Sequence, residues 1–167
     1  MKPLPAGATA RSPLLVDVVR AGSAWAPSAA QIRTWASAAL GRRAAGAVLA
    51  VRVVRPAESK RLNARYRGRD SATNVLSFPV PALPRMAAVP GGAPRPLGDL
   101  VICASVVRAE AHQQHKSIKA HWAHLVIHGA LHLLGYDHER DDEARRMERR
   151  EVAVLKRFGI TNPYRSV

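Results

Sequence analysis

Residues 128–138 read HGALHLLGYDH, a pattern that predicts a helix, its end and a cluster of histidines around that end. His128 and His132 are four residues apart, so on a helix both imidazoles project from one face, about one turn from each other. Gly135 can adopt the left-handed conformation that ends a helix and reverses the chain. That turn would bring His138 back toward the other two imidazoles. The segment therefore predicts a metal site at the end of a helix.

Three nitrogen ligands without a thiolate suit a catalytic zinc ion, which keeps its fourth position open for water or substrate. Structural zinc sites usually have four ligands, often cysteines, and this chain has only Cys103. We expect one zinc ion per chain, although three imidazoles also accept another divalent transition metal such as nickel, cobalt or copper. The pattern indicates a metal-dependent hydrolase.

The spacing H-x-x-x-H-x-x-G-x-x-H also occurs in the zinc proteases called metzincins. In those enzymes the residue after the first histidine is a glutamate that serves as general base, whereas here it is Gly129. Protease chemistry is therefore not expected. A zinc ion could instead lower the pKa of its bound water from about 16 to about 7 and supply hydroxide without a side-chain base. The small Gly129 would then leave space beside the metal for a bulky substrate.

Four blocks of sequence follow one another in a specific order. They are RLNARYRGRDSATNVLSFP at 61–79, LGDLVICASVV at 97–107, the histidine segment itself, and FGITNPY at 158–164. Together they resemble the YbeY family of bacterial metal-dependent endoribonucleases, over roughly residues 48–164. The resemblance implies a single-strand-specific endoribonuclease, acting in ribosomal RNA maturation at the 16S 3′ end and in ribosome quality control. The metal of such an enzyme could activate either water or the RNA 2′-hydroxyl.

Arg67 is the candidate for a second positive group at this site. A phosphodiester reaction accumulates charge on the non-bridging oxygens, and a guanidinium matches phosphate geometry with two parallel hydrogen bonds. The resemblance places the family's functionally important arginine at Arg67, which we expect in the loop before the third strand. Arg65 and Arg69 are expected to be general RNA phosphate contacts. The residues alone, in so arginine-rich a chain, would favour solvated surface charges.

Three further residues are candidates for supporting roles. His124 precedes His128 by one turn, but His124 and His132 are about 12 Å apart along a helix and cannot both join His128 on one metal. We therefore expect His124 in the core or behind a ligand. Asp137 could orient a ligand imidazole or stabilise the turn after the helix. Glu151 falls within the apolar stripe of the last helix, where an unpaired carboxylate would be costly, so we predict an arginine or histidine partner.

The charge balance points to a polyanionic partner. Twenty-six Lys and Arg against twelve Asp and Glu give a net charge of +14, and phosphates bind such a chain with release of counterions. Among polyanions, the resemblance makes single-stranded RNA, ribosomal RNA and ribosomal particles the expected partners, while a membrane surface would satisfy the same electrostatics. No apolar run approaches the roughly 20 residues of a membrane helix, and no secretory segment is evident, so we expect no membrane partner and a cytoplasmic protein. The sequence does not encode an oligomeric state that we can read.

A length of 167 residues predicts a single domain, residues 1–167. Strands are predicted at 14–22, 47–54, 74–80 and 100–104, and helices at about 28–43 and 57–66 with two or three more after 104. This order predicts an α+β fold, a mixed sheet of about four strands with helices mainly on one face, and the metal site at the end of a central helix. Residues 1–12 are expected to be a flexible N-terminus. Residues 79–96 contain six prolines and are expected to be a surface loop.

Two other functions fit the same residues. One is a ribosome-associated RNA-binding assembly factor with a structural metal, and the other is a different zinc hydrolase, including a protease with an unconventional base. An open coordination position would favour the enzyme, whereas a fourth protein ligand or a sealed site would favour the structural role.

Overall fold

The computed structural model describes residues 14–81 and 94–165. The predicted flexible N-terminus, residues 1–12, and most of the predicted loop, residues 82–93, lie outside the described residues. The elements, in chain order, are β1 (Leu15–Arg20), α1 (Ala29–Leu40), β2 (Ala47–Val54), α2 (Pro56–Arg67), β3 (Val75–Pro79), β4 (Arg95–Cys103), α3 (Ala104–Gln113), α4 (Ile118–Leu133) and α5 (Asp141–Lys156). The α+β fold class is as predicted.

The four strands form one mixed sheet in the order β1-β2-β4-β3. β1 and β4 both run parallel to β2, with Val18 and Leu100 aligned on Val51. β3 runs antiparallel to β4 and aligns Val75 with Ile102. β2 reads AVLAVRVV, the nearly continuous apolar pattern of a central parallel strand that is covered on both faces. The sheet therefore confirms the predicted number and mixture of strands.

The main core lies between one face of the sheet and the helices α1, α4 and α5. Its largest fully buried side chains include Ile32 of α1, Leu49 of β2, and Ile127 and Leu131 of α4. A smaller cluster on the opposite face joins Cys103 and its sheet neighbours to Leu62 of α2. The helices thus pack mainly on one face, as predicted.

Helix α4 is central because it is apolar around most of its circumference. It reads IKAHWAHLVIHGALHL, and ten of its sixteen residues are buried. Packing against the sheet, α1 and α5 accounts for this composition. Within residues 14–81 and 94–165, no helix combines the length and apolarity that crossing a membrane requires.

Strand β4 begins at Arg95, five residues before the start predicted from sequence. The pairing of β2 with β4 shifts after Val48, which aligns with Pro96, while the next residue of β2 aligns with Gly98. Leu97 is therefore an extra residue in a β-bulge, where proline is tolerated in a strand. The predicted loop is correspondingly shorter, since Pro79 ends β3 and Arg95 and Pro96 belong to β4.

Candidate metal centre

The end of α4 places two of the predicted ligands and its turn places the third. Gly135 has a φ of 89° and its N–H donates to the carbonyl of His132 at 2.9 Å. The N–H of Tyr136 donates to the carbonyl of Leu131 at 3.2 Å. These two bonds form a Schellman motif, which requires a left-handed residue and so favours glycine. The chain reverses there, as the sequence predicts, and carries His138 back to the helix.

The three imidazoles lie together. Each of His128, His132 and His138 offers a ring nitrogen within 4.8 Å of the others. The Nε2 atoms of His128 and His132 are 3.2 Å apart, and the ring centres of His132 and His138 are 4.9 Å apart. His138 is exposed, and His128 and His132 are partly buried. The cluster is therefore open to solvent on one side.

The chemistry of this cluster suits a metal ion. Burial, followed by the neighbouring His128 and His138, lowers the pKa of His132 to about 4, so its imidazole is neutral at physiological pH. A neutral imidazole is the form that binds a metal. In the part of the chain that the structure describes, no fourth histidine, cysteine or carboxylate completes the cluster. Three ligands with an open side match a catalytic rather than a structural zinc site.

Glu151 of α5 lies behind His128. The carboxylate is fully buried and accepts a hydrogen bond from Nδ1 of His128 at 2.5 Å. Of the two partners that we predicted, arginine or histidine, the structure shows histidine. The hydroxyl of Tyr164 donates to the other carboxylate oxygen, and Nε2 of His124 is 3.5 Å from it. Burial alone would raise the pKa of Glu151, but hydrogen bonds from His124, His128 and Tyr164 outweigh it and lower the pKa to about 2. The ionised carboxylate accepts the Nδ1 proton and leaves Nε2 of His128 free for a metal.

A second group of potential ligands overlaps the first. His124, His128 and Glu151 also offer atoms within 4.8 Å of one another. However, Nδ1 of His128 is already bonded to Glu151, and Tyr164 takes the other carboxylate oxygen. A metal here would displace these bonds and require the ring proton of His128 to move from Nδ1 to Nε2, which would remove Nε2 from the first cluster. The cluster of His128, His132 and His138 is therefore the better metal site, and His124 belongs to the group behind it.

Arg67 is the last residue of α2. We had expected it in the loop that follows this helix. The helix extends this far because Gly68, with a φ of 68°, caps it and donates its N–H to the carbonyl of Ala64 at 3.1 Å. The Arg67 side chain is exposed. Among residues 14–81 and 94–165 it makes no hydrogen bond or ion pair, with the histidines or otherwise.

The loop after α2 is held by two buried polar side chains of that helix. Oγ of Ser59 donates to the carbonyl of Thr73 at 2.8 Å and accepts its N–H at 2.9 Å. Nδ2 of Asn63 donates to the carbonyl of Ser71 at 2.8 Å. Arg69 is exposed within this fixed loop. Arg65 is also exposed, one turn earlier, with its guanidinium 5.4 Å from the ring centre of Tyr66. The three arginines are therefore all exposed within five residues at the end of α2, and we call this segment the basic surface.

Gly129 faces the sheet, which corrects our expectation that it leaves space beside the metal. A Cβ atom at this position would lie 2.8 Å from Cδ2 of Leu100 and 3.2 Å from Oγ of Ser77. Oγ of Ser77 donates to the carbonyl of Gly129 at 3.3 Å. The absence of a side chain thus allows α4 to approach β3 and β4 closely. Room for a substrate has to come from the exposed side of the cluster.

Asp137 stabilises the turn. Its Oδ1 accepts the backbone N–H of His138 at 2.7 Å, which supports the second of the two roles that the sequence left open. Within the described residues, its carboxylate makes no hydrogen bond to an imidazole.

No role was predicted for His121, yet this residue is buried and pairs with a carboxylate. Its Nε2 lies 2.8 Å from a carboxylate oxygen of Glu110. Nδ2 of Asn74 donates to the same carboxylate, at 3.0 and 3.2 Å to its two oxygens. The available signal was weak: His121 precedes His128 by seven residues and so shares its helix face.

Comparison with known proteins agrees with the fold and with the sequence blocks. The family model described as endoribonuclease YbeY matches residues 25–159. An endoribonuclease YbeY of Pseudomonas putida (strain W619) is 49% identical over 151 residues, covering 90% of this chain and 93% of that protein. The chain therefore belongs to the endoribonuclease YbeY family, which confirms the resemblance. The solution structure of TM1509 from Thermotoga maritima has a TM-score of 0.54 at 19% identity, covers 91% of this chain and 100% of its own, and shares the fold.

Proposed function

We propose that this chain is a metal-dependent endoribonuclease that hydrolyses single-stranded RNA in the cytoplasm. Its substrate is ribosomal RNA, in maturation of the 16S 3′ end and in quality control of ribosomal particles. Family membership supports the cleavage of RNA, and the net charge of +14 supports a polyanionic substrate. The observation that carries the metal dependence is the open cluster of His128, His132 and His138.

Zinc is the proposed metal, held by the three imidazoles. When bound, it would supply the Lewis acidity and the activated water that phosphodiester hydrolysis needs at neutral pH. The protein's part is to keep the ligands neutral and oriented. Burial keeps His132 neutral, and Glu151 fixes the Nδ1 proton of His128.

Arg67 is proposed to contact the phosphate. Its exposed guanidinium has no partner among the described residues, so it is free to make two parallel hydrogen bonds to non-bridging oxygens. Ser59 and Asn63 hold the loop that follows it, so the backbone that presents Arg67 is fixed. Arg65 and Arg69 would contact neighbouring phosphates. The strand of RNA would then extend from the basic surface to the histidine cluster.

Cleavage of a labelled single-stranded ribosomal RNA fragment, beside its duplex, tests this function. Wild type, His132→Ala and Arg67→Ala are compared, with metal content measured for each and Arg145→Ala as an exposed-arginine control on α5. We expect His132→Ala to lose metal and cleavage together. Arg67→Ala should keep the metal and cleave about 100-fold more slowly, as expected for a lost charge-stabilising group.

Equal trace cleavage by all variants would mean contamination. RNA binding with bound metal and without cleavage would support the assembly factor with a structural metal. Cleavage of the duplex at the same rate would contradict the preference for single strands.

A further inference from the structure

The segment that follows α5 reaches back to the histidine cluster. Its turn is closed by the N–H of Tyr164, which donates to Oδ1 of Asn162 at 2.9 Å. Nζ of Lys116, before α4, donates to the carbonyl of Pro163 at 3.2 Å. We call residues 162–164 the tail clasp. These bonds place the Tyr164 ring edge-on to that of His124, with centres 5.5 Å apart at 86°.

The tail clasp and the metal cluster meet at one carboxylate. Oε1 of Glu151 accepts from His128, and Oε2 accepts from the hydroxyl of Tyr164. Glu151 has no exposed surface, so water does not orient it. Nε2 of His124 is also 3.2 Å from the Tyr164 hydroxyl. The two bonds on opposite oxygens determine which way the carboxylate faces.

We propose that the tail clasp sets the metal affinity of the three-histidine cluster, with Tyr164 and Glu151 acting as positioning residues. Tyr164 holds Glu151, and Glu151 holds His128 with Nε2 turned toward the metal. A carboxylate that accepts the second ring proton of a ligating histidine orients the ring and makes it more basic, and losing such a partner typically weakens metal binding by about 10- to 100-fold. The inference rests on the proposed metal role of the histidines and not on RNA cleavage.

Among the described residues, removing the Tyr164 hydroxyl would leave Oε2 of Glu151 with one polar partner, Nε2 of His124 at 3.5 Å. The carboxylate would turn toward that imidazole, and its bond to His128 would bend. Tyr164→Phe removes only the hydroxyl oxygen, and the ring can still pack against His124. Any change in metal binding is therefore caused by the altered position of the Glu151 carboxylate.

The test is a zinc dissociation constant, measured on the full chain by competition with a chromophoric chelator. Tyr164→Phe, Glu151→Gln and the double variant are compared with wild type. Tyr66→Phe is the matched control, since Tyr66 is exposed and packs against Phe78, and its hydroxyl makes no hydrogen bond to any other described residue. We expect about 10-fold weaker binding for Tyr164→Phe and between about 10- and 100-fold for Glu151→Gln. The double variant should be no weaker than Glu151→Gln, because both changes act on one bond.

Two further measurements separate positioning from folding. The visible spectrum of the cobalt-loaded protein should change in Tyr164→Phe and match wild type in Tyr66→Phe, because it reports ligand geometry. The melting temperature of the metal-free protein should fall modestly in Tyr164→Phe, which loses a hydrogen bond to a buried carboxylate, and stay at the wild-type value in Tyr66→Phe. Glu151→Gln, which keeps an acceptor oxygen, should bind zinc more tightly than Glu151→Ala.

Unchanged zinc affinity and an unchanged cobalt spectrum in Tyr164→Phe would overturn the proposal. A lower melting temperature with unchanged affinity would also overturn it, since Tyr164 would then act in folding alone. A wild-type protein that binds no zinc or cobalt would remove the metal centre and this proposal with it. Tight zinc binding without RNA cleavage would sink only the proposed activity.

Discussion

Gly129 lies where a Cβ atom would be 2.8 Å from Cδ2 of Leu100. We predict that Gly129→Ala destabilises the protein by about 1 kcal/mol. Overpacking a filled core costs about 1–3 kcal/mol, while alanine gains about 1 kcal/mol over glycine inside a helix. Leu100 is fully buried, so its methyl group has no open space to enter and overpacking outweighs propensity. Urea unfolding measures the difference.

The same substitution in a Leu100→Val background is the control. Valine lacks the δ-methyl groups that a Cβ at position 129 would meet, so Gly129→Ala should become neutral or stabilising there. An equal loss of stability in both backgrounds would contradict the contact as its cause.

Single residues differ in how far the sequence predicts their partners. The partner of Glu151 was predictable, because a carboxylate within an apolar helical stripe needs one. The pairing of Glu110 with His121 was not, since it depends on how α3 packs against α4 and both residues also suit a solvated helix. The sheet contact of Gly129 required the same tertiary information. Periodicity along one helix is local, whereas these contacts join separate elements.

At the scale of elements, a carboxylate on α3 ties two other elements together. Glu110 accepts hydrogen bonds from Asn74, which precedes β3, and pairs with His121 of α4. Burial alone would raise the pKa of Glu110, but the hydrogen bonds from His121 and Asn74 outweigh it and lower the pKa below 4.5. Ionised Glu110 therefore stabilises the fold fully at pH values above its ordinary pKa. This stabilisation is lost as the pH falls through the lowered pKa of the folded state.

We predict that Glu110→Gln lowers the free energy of unfolding at pH 7 and that its difference from wild type shrinks below pH 4.5. Protonation removes the negative charge of Glu110, and glutamine lacks this charge at every pH. The stability of wild type therefore approaches that of the variant as the pH falls. Urea unfolding between pH 3 and 7 measures it. Glu143→Gln is the control, because Glu143 makes no hydrogen bond or ion pair with any other described residue. A difference that stays constant with pH would show that Glu110 acts through shape alone.

Most element boundaries follow from local pattern, and β4 shows where pattern fails. The first three strands and the first two helices lie within a few residues of the predicted ranges. RPLG at 95–98 has the composition of a loop, but it pairs with β2 through a bulge. Gly98 permits this because a Cβ there would lie 2.5 Å from the carbonyl of Phe78. Pairing with β2 makes this segment a strand, although its residues have little intrinsic preference for strands. The histidine cluster was predictable because its three histidines lie within eleven residues.

At the scale of the whole molecule, the net charge of +14 is unevenly arranged. α5 carries five basic and five acidic residues, so its exposed arginines are largely neutralised by their neighbours. Residues 56–70, which comprise α2 and part of the loop after it, carry five basic and two acidic residues. Nucleic-acid affinity depends on the potential along the path of the phosphates rather than on total charge. The end of α2 is therefore the surface that we expect to bind RNA.

Two triple variants that remove the same charge distinguish a local surface from a diffuse one. One changes Arg65, Arg67 and Arg69 to glutamine, and the other changes Arg145, Arg146 and Arg149, which are exposed on α5. Each phosphate contact with single-stranded RNA contributes about 0.7 to the slope of log affinity against log salt. The α2 variant should therefore lose about 2 from this slope, while the α5 variant keeps nearly the wild-type slope. Fluorescence anisotropy of a labelled single strand between about 50 and 200 mM KCl measures both. Equal losses would mean that charge attracts RNA without directing it, and the basic surface at α2 would then have no special place in binding.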